Sequence, residues 1–136
     1  MTLRLPSKVR DDYWVYAENP NPPVDWTDRS GKWLIFASFK KIDQLWKLIH
    51  DETIVGRLGM SAKAATSKPN DLAKNKFIKV ICVYTYDALD VVDVMRVRER
   101  LRAIGFTKKL SYKTDEATNL GVYAGTVEGP VSLYYE

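Results

Sequence analysis

Three lysines lie in strand-like segments among small or polar residues, where an ammonium group can serve a ligand. Lys63 is flanked by alanines in AKAAT at residues 62–66, Lys113 lies in SYKTD at 111–115, and Lys32 opens an apolar run. Small neighbours leave room for a ligand to approach. A solvated lysine in such a place holds a phosphate, whereas a partly desolvated lysine has a lowered pKa and can act as a base. The alternative is that each lysine points to solvent from an exposed face of a sheet.

The predicted binding site combines these lysines with aromatic and hydroxyl side chains of the neighbouring segments. We predict a basic cleft on the concave face of a sheet that holds a phosphate-bearing ligand, and we expect Lys63 and Lys113 to approach the same cleft. The predicted ligand-binding residues are Lys32, Lys63, Lys79, Tyr84, Tyr86, Tyr112, Lys113 and Thr118.

The four tryptophans are the other candidates for ligand contact, because two aromatic planes can hold a base between them. Trp46 recurs with apolar residues at helical spacing and Trp33 starts a buried strand, so both are predicted to lie in the core. Trp14 and Trp26 lie in or near irregular chain rich in proline. They either form a platform for a ligand or only pack the N-terminal arm onto the domain.

Other chemistries lack the residues they need. The chain has one cysteine and one histidine, so a cysteine-based zinc cluster and a multi-histidine metal site are excluded. His50 lies late on a predicted helix and Cys82 lies in the middle of an apolar strand. The run GRLG at 56–59 lacks the spacing of a phosphate-binding loop. We therefore expect no metal and no cofactor.

The charge is unevenly distributed along the chain. Over 136 residues, 21 Lys and Arg face 17 Asp and Glu, but the interval from Arg57 to Lys79 holds six basic residues and one acid. Such a cluster favours an anionic partner, namely a nucleotide, RNA or a phosphoprotein. The alternative for residues 68–76 is a lysine-rich loop that charge keeps solvated.

The hydrophobic pattern predicts the elements that must position these residues. Apolar or β-branched runs predict strands at 32–38, 61–67 and 77–86, with shorter strands near Trp14 and near 110–113, 120–124 and 131–134. Apolar residues at helical spacing predict helices over 40–53 and 90–104, the second capped by Asp90 and ended by Gly105. The four arginines of the second helix are expected on its outer face.

This order predicts an α+β protein, with a mixed, mostly antiparallel sheet and two main helices packed on one face. We expect residues 1–136 to form a single domain, in which 1–30 are a packed N-terminal arm and 31–136 are the core. No apolar run approaches the roughly 20 residues that span a bilayer. We therefore expect no membrane partner and a cytoplasmic location.

Five runs resemble the basophilic-leukaemia-expressed protein family, and the resemblance covers about residues 14–123. They are GKWLIF at 31–36, LGMSAKAAT at 58–66, VYTYD at 83–87, DVMRVR at 93–98 and YKTD at 112–115. The resemblance implies a curved antiparallel sheet backed by helices, like that of the mRNA cap-binding initiation factor 4E. The stretch from Trp33 to Trp46 is also similar to that factor's strand and tryptophan-bearing helix.

The same resemblance implies a likeness to phosphothreonine lyases, in which a lysine base removes a proton and a histidine protonates the leaving phosphate. Lys63 matches the base. The lyases' Lys-x-His reads Lys32-Trp33-Leu34 here, so Leu34 replaces the acid and we expect no lyase activity. Binding of a phosphate-bearing ligand is the first hypothesis. The alternatives are a lyase-like enzyme that uses Lys63 and another donor such as Tyr112, and a protein-interaction adaptor without a small ligand.

Overall fold

The protein is a two-layer α+β structure, as predicted. A computed structural model describes residues 3–70, 77–116 and 132–136. A 3-10 turn at Pro6–Lys8 precedes six strands and two helices. In chain order these are β1 Trp14–Glu18, β2 Gly31–Ser38, α1 Ile42–Ile54, β3 Ser61–Ala65, β4 Ile78–Thr85, α2 Val91–Ala103, β5 Ser111–Thr114 and β6 Tyr134–Tyr135. The strand predicted near 120–124 lies outside the described residues.

The strands form one curved sheet in the order β1-β3-β4-β2-β5-β6, and every described pair is antiparallel. β1 belongs to the predicted N-terminal arm, yet it pairs with β3 along its whole length. The arm is therefore part of the sheet. The long central strands β2 and β4 pair from Gly31↔Thr85 to Ser38↔Ile78 and set the register of the rest.

Both helices pack on one face of this sheet through the predicted apolar stripes. The stripe of α1 is fully buried at Ile42, Trp46 and Ile49. The stripe of α2 is fully buried at Val94, Val97 and Leu101. The Asp90 carboxylate accepts the Asp93 N–H at 3.1 Å and caps α2. Gly105 follows the helix with φ +118°, a conformation that glycine adopts without steric cost.

The core lies between the helices and the sheet, and strands β1 to β5 all contribute buried residues to it. The Trp33 indole donates to the Val94 carbonyl at 3.1 Å, and the Tyr112 ring meets Trp33 edge-on at 5.1 Å. A side chain at Gly31 would clash with the Tyr112 ring, since a Cβ there would lie 2.3 Å from its hydroxyl. The glycine thus makes room for a buried tyrosine.

Two details of burial differ from the sequence prediction. The apolar run of β2 is buried from Gly31 to Ile35, but Phe36, on the side away from the helices, is 64% exposed. Arg98 was predicted on the outer face of α2, but it is fully buried. Its guanidinium donates to the carbonyls of Phe106, Lys108 and Glu136 at 2.7–2.9 Å, which fixes the chain that follows α2.

None of the helices in the described ranges is long and apolar enough to cross a membrane. The cytoplasmic location stays a prediction.

Candidate functional site

The sheet register gathers several predicted site residues on the side away from the helices. Lys32 stands between Tyr84 of β4 and Lys113 of β5, and Tyr84 stands opposite Ser61 of β3. Two residues along, Lys63 stands opposite Cys82. Because alternate residues of a strand share a face, all of these belong to one surface. We call this surface, with Lys32, Lys63, Lys113, Tyr84 and Trp14, the lysine face.

Lys63 is half-buried at the centre of this face. Its ammonium lies 3.9 Å from the centre of the Trp14 ring and 5.9 Å from that of Tyr84. Within residues 3–70, 77–116 and 132–136, no carboxylate lies at ion-pair distance from it. Burial lowers the pKa of Lys63, and the nearby Lys32 charge lowers it further, against the opposing effects of Cys82 and Asp115. Lys63 is thus a partly desolvated cation whose close neighbours are aromatic rings.

Lys32 lies on the same face but has a carboxylate partner. Its ammonium is 2.9 Å from Asp115, and the other oxygen of that carboxylate accepts the hydroxyl of Ser30. The Asp115 N–H also donates to the Ser30 carbonyl at 2.9 Å, so two contacts to Ser30 hold the acid in place. Lys32 is therefore largely neutralised, whereas Lys63 is not.

Tyr84 separates the two lysines. The Lys32 and Lys63 ammonium groups lie 5.8 and 5.9 Å from the centre of its ring, within the range of cation–π attraction. Trp26, from the loop between β1 and β2, meets the same ring edge-on at 6.0 Å and is half-exposed. Burial, together with the neighbouring Cys82 and Asp115, raises the pKa of Tyr84. Its hydroxyl therefore stays protonated near neutral pH and is a poor proton donor for catalysis.

A cavity adjoins Trp14 at one end of the lysine face. It has a volume of about 370 Å³, and its walls include Tyr13, Trp14, Phe36 and Thr66. Lys68, which also lines it, places its ammonium 4.3 Å from the centre of the Tyr13 ring. The cavity therefore combines apolar, aromatic walls with positive charge, and Trp14 links it to Lys63.

The structure does not bring all of the predicted site residues together. Tyr112 is opposite Trp33 on the helix face, fully buried, with its hydroxyl 2.6 Å from Thr85. The prediction that Tyr112 lines the cleft fails because side chains alternate between faces, so neighbours of Lys113 in sequence point away from it. Lys79 stands opposite Ala37, on the same side as the helices by register, although it also borders the cavity beside Trp14.

Two further predicted residues are also separate from the lysines. The Tyr86 hydroxyl donates to Asp90 at the start of α2, and this hydrogen bond raises the pKa of Tyr86 to about 12. Thr118 lies outside the described residues. The described part of the predicted site therefore reduces to Lys32, Lys63, Tyr84 and Lys113, to which the structure adds Trp14, Trp26 and Asp115.

The tryptophans divide as predicted into two classes. Trp33 and Trp46 are fully buried among the helices, whereas Trp14 is partly exposed and Trp26 half-exposed. Both exposed tryptophans contact residues of the lysine face. The contact between Trp14 and Lys63 depends on the pairing of β1 with β3, in which Tyr16 stands opposite Lys63, and the sequence does not specify this pairing.

Few groups near Lys63 could act as a general acid or a metal ligand. Leu34, opposite Cys82, is an apolar and buried side chain on this face. Burial raises the pKa of the Cys82 thiol. His50 lies on α1, on the other side of the sheet, with Nδ1 3.1 Å from Asp51. Across the described ranges, no group of three or more His, Cys, Asp or Glu could hold a metal ion.

Comparison with known proteins identifies a family and a fold. The family model described as "Basophilic leukemia-expressed protein Bles03" matches residues 24–121. Among solved structures, a complex of Ascaris suum eIF4E-3 with an m2,2,7G cap matches with a TM-score of 0.50 and 17% sequence identity. The match covers 85% of this chain and 65% of that chain, so the chain spans less than two thirds of that protein's length. At this identity the likeness concerns the fold alone.

Proposed function

Because this chain belongs to the basophilic leukemia-expressed protein Bles03 family and shares the fold of a cap-binding protein, we propose that its lysine face binds a phosphate-bearing ligand. Lys63 is the principal contact, with Lys32, Lys113 and Tyr84 beside it. The ligand class that these side chains fit best is a nucleotide, free or at an RNA end.

The observation that carries this proposal is the state of Lys63. A half-buried ammonium without a carboxylate partner in the described structure is unfavourable by itself. An anion that docks on it restores the lost solvation as a charge-assisted hydrogen bond, which is about twice as strong as a neutral one. Lys32, though paired with Asp115, adds positive potential on the same face.

The aromatic rings favour a nucleotide over a phosphopeptide. Trp14, Trp26 and Tyr84 all contact the lysine face, and the cavity beside Trp14 has aromatic walls. Stacking of a base on such a ring contributes about 1–3 kcal/mol and tolerates any base. A phosphopeptide would use the lysines but would leave these rings without a specific partner.

The same geometry supports binding over elimination. Lys63 has the lowered pKa that suits a base, but a lyase also needs a proton donor for the leaving phosphate. Leu34 is apolar, Tyr84 has a raised pKa, and Tyr112 and His50 lie on the helix side. When a phosphothreonine peptide is incubated with the protein, we expect mass spectrometry to find no loss of phosphoric acid.

The direct test is a calorimetric titration at low salt with GTP, guanosine and inorganic pyrophosphate. We expect GTP to bind at least about tenfold more tightly than guanosine, because the phosphates supply charge-assisted contacts. The Lys63→Met substitution should weaken the binding of GTP by about tenfold or more, and added salt should weaken this binding further. Lys47→Met, which removes the same charge from the exposed side of α1, is the matched control.

Methylated and unmethylated guanine nucleotides test how far the likeness to the cap complex extends. The Lys63 ammonium already lies over the Trp14 ring, so a positively charged 7-methylguanine would be repelled there. We therefore expect m7GTP to bind no more tightly than GTP. If neither nucleotide, nor pyrophosphate, nor the phosphothreonine peptide binds at low salt, the phosphate proposal is wrong and the adaptor hypothesis takes its place.

A further inference from the structure

A second surface, distinct from the lysine face, lies where strand β5 stops short of the end of β2. β5 pairs with β2 only from Gly31↔Thr114 to Leu34↔Ser111, whereas β2 continues to Ser38. The pairing with β2 ends at Ser111, and Leu110 before it exchanges backbone hydrogen bonds with Glu136 at 2.8 and 3.0 Å, on the β6 side. The last four residues of β2 therefore have β4 on one side and no described strand on the other.

The backbone groups that face this side follow from the alternation of an antiparallel ladder. The Phe39 N–H donates to Phe77 on the β4 side, and the Ser30 carbonyl accepts from Asp115 on the β5 side. The backbone N–H and C=O groups of the even-numbered residues of β2 consequently point to the β5 side. The Ser38 carbonyl bonds the Lys41 N–H at 2.9 Å, but the Phe36 N–H and carbonyl have no backbone partner in the described ranges.

A preformed groove runs beside these groups. It has a volume of about 910 Å³ and is bounded by β2, by α1 and by the chain from 104 to 111. Its floor and walls are largely apolar and include Phe36, Leu45 and Leu48. The chain from 104 to 111 is a firm wall, because buried Arg98 bonds the carbonyls of Phe106 and Lys108 at 2.9 and 2.7 Å.

The charged residues that line the groove in the described part of the chain are all basic. They are Lys41, Lys108 and Lys109. An extended segment with an apolar residue between acidic ones would match the backbone groups, the walls and the lysines together. Four residues of strand, about 13 Å, would fill the unpaired length of β2.

We propose that this groove binds an extended, acidic segment of a partner protein, which adds to the sheet as a strand beside Phe36. The backbone groups of β2 provide hydrogen bonds, the apolar walls accept alternate side chains, and the lysines favour flanking carboxylates. This interaction involves none of Lys32, Lys63 or Tyr84, and it shares only the Phe36 side chain with the cavity beside Trp14.

Selection from a display library of random short peptides on the full-length protein tests the proposal. We expect peptides with alternating apolar and acidic residues and without proline. The best peptide is then resynthesised, with a second version N-methylated at alternate positions to remove backbone donors. The unmodified peptide should slow hydrogen exchange at the Phe36 amide, and the methylated one should bind at least about tenfold more weakly.

Protein variants separate the two parts of the contact. Phe36→Pro removes an edge-facing N–H without breaking the bonds between β2 and β4, and it should abolish binding. If Phe36→Pro does not fold, Lys41→Glu/Lys108→Glu/Lys109→Glu tests the charges and should weaken binding by about tenfold or more. Lys47→Glu, which lies on α1 but outside the groove, should leave the affinity unchanged. Failure to select any acidic peptide, or equal affinity for the charge-reversed variant, overturns the proposal.

Discussion

The two faces of one sheet have opposite chemistry. The helix face carries Trp33, Ile35, Ile81 and Val83, each with 3% exposure or less. Two of its polar side chains have partners, since the Trp33 indole donates to the Val94 carbonyl and the Tyr112 hydroxyl lies 2.6 Å from that of Thr85. The lysine face places Lys63 where burial lowers its pKa. One face thus supplies the stability of the fold, and the other keeps an unfavourable charge of the kind that functional sites tend to have.

The largest difference should separate two aromatic residues of the same strand. Trp33 and Phe36 both belong to β2, but Trp33 is fully buried and Phe36 is 64% exposed. We expect Trp33→Ala to lower the free energy of unfolding by about 3–5 kcal/mol through lost burial and a cavity. Phe36→Ala should change it by about 0.5 kcal/mol or less. Urea unfolding of both variants checks this, and equal losses would contradict the assignment of faces.

A buried cation on the helix side should be stabilising, in contrast to Lys63. Arg98 is fully buried, and its guanidinium donates to three carbonyls. Arg98→Met leaves those carbonyls without their donor and should cost about 3 kcal/mol or more. Arg102→Met, four residues further along α2, removes only an exposed pair with Glu99 and is the control. Similar thermal midpoints for the two variants would show that Arg98 does not hold the chain after α2.

The sequence predicted the helix face more completely than the lysine face, for a physical reason. The stripe from Ile42 through Trp46 to Ile49, the Asp90 cap and Gly105 are local signals, and each proved correct. Helical periodicity depends on residues three or four apart. The buried face of a helix therefore needs no knowledge of its neighbours.

Contacts between strands depend on register, which the sequence does not give. Tyr112 was grouped with Lys113 because they adjoin in sequence, but adjacent residues of a strand face opposite sides. The contact of Trp14 with Lys63 requires β1 to pair with β3 across the 42 residues that lie between Glu18 and Ser61. Arg98 looked like its exposed neighbours because its carbonyl partners lie on irregular chain after the helix.

The smallest expected change in stability is that caused by Lys63, and it bears most directly on the proposed function. The folded protein lowers the pKa of Lys63 below its ordinary value of 10.5, so the unfolded chain holds that proton more tightly. At neutral pH the charged Lys63 therefore lowers the free energy of unfolding. This destabilisation is lost as the pH rises from the pKa of Lys63 in the folded protein to its pKa in the unfolded chain. Solvent screens the effect, and attraction to Trp14 offsets part of it.

Lys63→Met should accordingly unfold at about the same urea concentration as the wild type, or slightly higher, at pH 7. The difference between the urea midpoints of Lys63→Met and the wild type should shrink as the pH approaches 10. The exposed control Lys47→Met should show no such trend. Saturating GTP should reverse the order, because a ligand that binds only the folded wild type raises its stability by mass action. The free energy of unfolding of Lys63→Met could instead fall by more than about 1 kcal/mol at pH 7 without ligand. Lys63 would then be a structural residue whose packing on Trp14 outweighs its desolvation, and the contrast between the two faces would not hold.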